Sequence, residues 1–69
     1  MKPLKTRCRE VFPKSRKLQN IEPSDGQLDN IVHRLGQIFT EDEVKAFDEK
    51  MLVRQVERVW PIARYIDKK

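Results

Sequence analysis

The chain has 69 residues and a formal net charge of +4, from 15 Lys and Arg against 11 Asp and Glu, with one His and one Cys. A chain this short holds one domain at most. It has no run of about 18–20 apolar residues to cross a bilayer, and a lone cysteine builds neither an internal disulfide nor a zinc cluster. The N-terminus lacks the apolar stretch of a signal peptide, so the expectation is a cytoplasmic protein with no membrane role.

The charge is unevenly placed. Residues 1–23 carry seven basic residues (Lys2, Lys5, Arg7, Arg9, Lys14, Arg16, Lys17) and two acidic ones (Glu10, Glu22), a balance of +5. Residues 24–69 carry the other eight basic residues against nine acidic ones, a balance of −1. Pro3, Pro13 and Pro23 all fall in the first segment. Proline removes a backbone donor and disfavours helix just before it. The expectation is a basic, proline-punctuated arm over 1–23 joined to a helical body over 24–69. Within the arm, Leu4, Cys8, Val11 and Phe12 follow i, i+4, i+7, i+8 between two prolines. That spacing fits a short amphipathic helix, which must dock on something to persist in water. The same residues also suit an extended tether, with Leu18 and Ile21 as further anchors.

The body opens with Ser24-Asp25-Gly26-Gln27, a capping box in which the serine takes the amide three residues on and the glutamine reaches back. Leu28, Ile31, Val32, Leu35, Ile38 and Phe39 then fall in a sector roughly 120° wide on a helical wheel. This predicts a first body helix over about 25–38. Gly36 reads either as the residue that ends it or as an interior glycine permitting close packing.

Thr40-Glu41-Asp42-Glu43 is a second capping box, with Phe39 and Val44 placed as a hydrophobic staple. It predicts a long helix over about 41–59. Val44, Phe47 and Met51 lie on one face of that helix, and Leu52, Val53, Val56, Val59 and Trp60 on another, centred roughly 130° away. One helix thus serves two apolar surfaces, and the second needs its own cover. The C-terminal segment, the arm's apolar residues and a second protein chain all qualify. Pro61 is expected to break or kink the helix near Trp60 and to open a short helix over about 61–66. The fold class is therefore all-α: a capped helical hairpin, a short C-terminal helix and the basic arm.

Catalytic arrangements are missing from the sequence. His33 falls on the polar side of its helix. Cys8 has no second cysteine or base nearby. The consecutive acids Glu41, Asp42 and Glu43 point in different directions on a helix and do not converge on one ion. No catalytic residue, metal site, cofactor or small-molecule substrate is expected.

Seven cations within residues 2–17 have the density of a phosphate-contacting segment. The expected function is that of a small, non-enzymatic regulatory or accessory protein. It would be a dimer, contacting DNA or RNA through Lys2, Lys5, Arg7, Arg9, Lys14, Arg16 and Lys17. The alternative is a protein-interaction module, an adaptor or inhibitor, with no nucleic-acid role. Its partner surface would be Leu52, Val53, Val56, Val59, Trp60 and Tyr65, since small domains without disulfide or metal commonly oligomerise and aromatic residues anchor interfaces. The same surface serves a homodimer or a larger protein partner.

Overall fold

The computed structural model describes residues 3–65, and all regular structure among them is helical. Helix α1 spans Leu4–Val11 and runs into a 3₁₀ turn at Phe12–Lys14. Helix α2 spans Asp25–Ile38, α3 spans Glu41–Lys45 and α4 spans Glu49–Ala63. Helix α1 packs on both α2 and α4, α2 packs on α4, and α3 lies against α2. The principal extents are 32 × 27 × 21 Å.

Both capping boxes form. The Ser24 hydroxyl accepts the Gln27 amide at 3.2 Å, and the Gln27 side chain accepts the Ser24 amide at 2.8 Å. Thr40 and Glu43 repeat the exchange at 3.1 and 2.8 Å. Each box satisfies two helix-start amides that would otherwise lack partners. Gln27 does more. Its amide group also donates to the Arg64 carbonyl at 2.9 Å, while Asn30 donates to the carbonyls of Ala63 and Tyr65. The start of α2 thus meets the end of α4, and the two helices run antiparallel.

The long helix expected over 41–59 is two helices. The chain leaves α3 at Ala46, and Asp48 caps α4 by accepting the Met51 amide at 2.8 Å. The break has two further supports. The Arg7 guanidinium donates to the Phe47 carbonyl at 2.7 Å. The Phe47 ring meets Phe39 edge-on with centroids 5.0 Å apart. The angular mismatch between the two apolar clusters follows directly: Val44 and Leu52 belong to different helices and need not share a wheel.

Pro61 neither breaks nor kinks the chain into a new helix. Helix α4 continues through it to Ala63, so the short helix expected over 61–66 is absent as a separate element among the described residues. Pro61 is exposed. The carbonyl one turn back, which loses its amide partner to the proline ring, therefore lies on the solvent side.

The core shows what covers α4. Cys8, Val11, Phe12 and Leu18 from the first 23 residues are buried with Leu28, Ile31 and Leu35 of α2 and with Leu52, Val56, Val59, Trp60 and Ala63 of α4. Phe12 meets the Trp60 ring edge-on at 5.1 Å, a geometry aromatic pairs favour. Of the three covers compatible with the sequence, the N-terminal segment's own apolar residues take the place.

Candidate nucleic-acid interface

The six described cations of the N-terminal segment do not share one role. Lys2 lies outside the described residues. Lys5 holds the Asp25 carboxylate at 2.9 Å and that of Asp29 at 3.1 Å, pinning α1 to the start of α2. Its pKa is raised, first by the bond to Asp25 and then by the bond to Asp29. Arg7 is half-buried on the Phe47 carbonyl. Lys14 bonds Glu49 at the start of α4, and its pKa is raised by that contact. Three of the cations expected on nucleic acid are thus occupied in joining helices. Arg9, Arg16 and Lys17 are exposed. Arg9 lines a shallow cleft with Ile21 and Glu22, apart from the other two.

Arg16 and Lys17 have company from elsewhere in the chain. Ser15 between Lys14 and Arg16 is buried, donates its hydroxyl to Glu57 of α4 and accepts the Lys17 amide at 3.2 Å. This bond ties the chain just before Arg16 and Lys17 to α4 at Glu57, the residue next to Arg58. Lys50, Arg54 and Arg58 are exposed and recur every fourth residue. On a helix that spacing draws a stripe with about 6 Å of rise per step. Among the described residues, no salt bridge involves Arg16, Lys17, Lys50, Arg54 or Arg58. Glu49 and Glu57, the acids next in sequence to the two ends of the stripe, are bonded to Lys14 and to Ser15. The exposed cations are thus the α4 stripe of Lys50, Arg54 and Arg58 and, after the Ser15 junction with α4, Arg16 and Lys17.

The α4 stripe was legible in the sequence as Lys50, Arg54 and Arg58 opposite the apolar positions, but the charge balance of −1 over residues 24–69 hid it. The acids of that segment sit largely at helix starts, where they cap or meet the helix dipole.

The expected partner surface is largely internal. Leu52, Val56, Val59 and Trp60 are buried in the chain's own core, covered by α1 and α2, and are not offered to a second copy. Val53 is half-buried and packs against that core. Tyr65 is exposed, with the Arg64 guanidinium 4.8 Å from its ring centroid.

Cys8 is fully buried, and burial pushes its thiol up to about 12, against a smaller opposing pull from the Arg7 charge. At neutral pH the sulfur stays protonated and is a poor nucleophile. His33 is exposed. Among the described residues, no group of three or more His, Cys, Asp or Glu is placed to hold a metal ion, and no helix is long and apolar enough to cross a membrane. Comparison with protein-family models, with curated proteins and with solved structures finds no match for this chain.

Proposed function

We propose that this protein is a small, non-enzymatic accessory protein that contacts nucleic acid electrostatically through Arg16, Lys17, Lys50, Arg54 and Arg58. The observation carrying the reading is the exposed α4 stripe and its junction with Arg16 and Lys17 through the Ser15–Glu57 bond. Three cations about one helical turn apart, with two more on the segment joined to that helix, suit the backbone phosphates of DNA or RNA, which carry charge at short, regular intervals. Such contacts position a polyanion without reading its sequence. The proposal moves the contact surface away from the N-terminal segment as a whole. Lys5, Arg7 and Lys14 hold helices together instead.

Fluorescence anisotropy on a random-sequence duplex and a random single strand, at stepped salt, tests this. Binding should weaken linearly on a log–log plot. On duplex DNA, the double variant Arg54→Ser/Arg58→Ser should lower the slope by roughly 0.9 for each phosphate that it no longer neutralises. Both positions are exposed, so the thermal midpoint should fall only slightly, reflecting the few tenths of a kcal/mol, roughly, that serine costs a helix-interior site relative to arginine. An unchanged slope, or no binding at about 50 mM salt, defeats the proposal.

A further inference from the structure

A second feature lies away from the basic face. The first turn of α1, the last turns of α2 and the whole of α3 enclose a groove of about 480 Å³. That volume falls within the range of small-molecule sites, about 300–1,000 Å³. Leu4, Val32 and Val44 supply apolar walls. Gly36 of α2 also lines it.

Gly36 is the telling residue. It is neither the end of α2, which runs on to Ile38, nor a close-packing site. A Cβ built there meets nothing within 4 Å, and no residue of the described chain has a positive φ. A helix-interior glycine weakens its helix relative to alanine. Here neither backbone conformation nor crowding requires it. What its missing side chain does provide is open space in the groove.

The charged rim gives the ligand its sign. Arg7 is half-buried and spends a donor on the Phe47 carbonyl, leaving other N–H groups of its five-donor fork. Lys45 is exposed and only loosely paired with Glu41, at 3.9 Å. Two cations against one carboxylate leave the rim with an excess positive charge.

We propose that this groove binds a small amphipathic carboxylate, its apolar body between Leu4, Val32 and Val44 and its acid group at Arg7 and Lys45. Arg recognises carboxylates bidentately, and the apolar walls select against small hydrophilic anions. The site is independent of the nucleic-acid reading, since it shares no residue with the basic face.

Isothermal titration of the full chain with octanoate, and with 1-octanol as the uncharged analogue, tests the assignment. Octanoate should bind saturably at one site, and octanol at least tenfold more weakly. Gly36→Leu should fill the groove and abolish octanoate binding while thermal unfolding stays cooperative. Lys45→Gln, at an exposed position, should weaken octanoate several-fold and leave octanol unaffected, and it keeps the test open if Gly36→Leu fails to fold. Absence of saturable octanoate binding, equal affinity for octanol, or unchanged octanoate binding in folded Gly36→Leu or in Lys45→Gln overturns the proposal.

Discussion

Cys8 lies among basic neighbours in sequence, which lower a thiol pKa, yet sits fully buried in the fold. Burial wins, because removing the thiolate from water costs more than one nearby guanidinium returns. The direction has a consequence for stability. The folded thiol holds its proton up to about 12, whereas an exposed one releases it near its ordinary 9.0. Between those values the unfolded state binds fewer protons, so stability falls as pH rises through that window. Denaturant titrations between pH 7.5 and 10.5 should show the parent losing stability above about pH 9, and Cys8→Ala losing less over the same range. Parallel curves for the two proteins count against the thiol as the cause. The amphipathic spacing of Leu4, Cys8, Val11 and Phe12 was readable in the sequence. What they pack against was not, since spacing names a face and not its partner.

At the scale of elements, the caps were the most legible features. Ser24 and Thr40 begin helices as their local sequence dictates, because a capping box is closed by residues three apart. Asp48 was missed. It sits inside an unbroken helical pattern, and a lone Asp mid-pattern reads as a solvated position unless the chain turns there. The turn is held from outside, by Arg7 forty residues away on the Phe47 carbonyl. Asp48→Ala removes the acceptor for the Met51 amide and should cost about 1 kcal/mol, read as a shift in denaturant midpoint at constant slope. No shift would mean that the Arg7 clamp and the Phe39–Phe47 pair set the break without the cap. Pro61 shows the reverse error: a strong local breaker is tolerated because it falls on the exposed side of α4, near the helix end.

At the scale of the whole molecule, the N-terminal segment is part of the core. Deleting residues 1–17 removes Cys8, Val11 and Phe12 and uncovers Leu52, Val56, Val59 and Trp60. The truncated chain should lose its cooperative thermal transition in circular dichroism. A retained sharp transition would show that α2 to α4 fold alone. The same packing explains why the basic face had to be found on the structure. Lys5 and Lys14 are occupied on α2 and α4, while the segment that carries Arg16 and Lys17 is tied to α4 by a bond between Ser15 and Glu57, forty-two residues apart.

The sequence alone determined the all-α class, both capping boxes and the inward face of α2 apart from Ile38, which is exposed, because each rests on residues within a turn or two of one another. Tertiary structure decided the rest of the opening charge count. The described cations behind the excess of +5 on residues 1–23 are divided between helix-joining contacts (Lys5, Arg7, Lys14) and exposed positions (Arg9, Arg16, Lys17). That division depends on distant carboxylates and carbonyls, whose proximity only the folded chain creates.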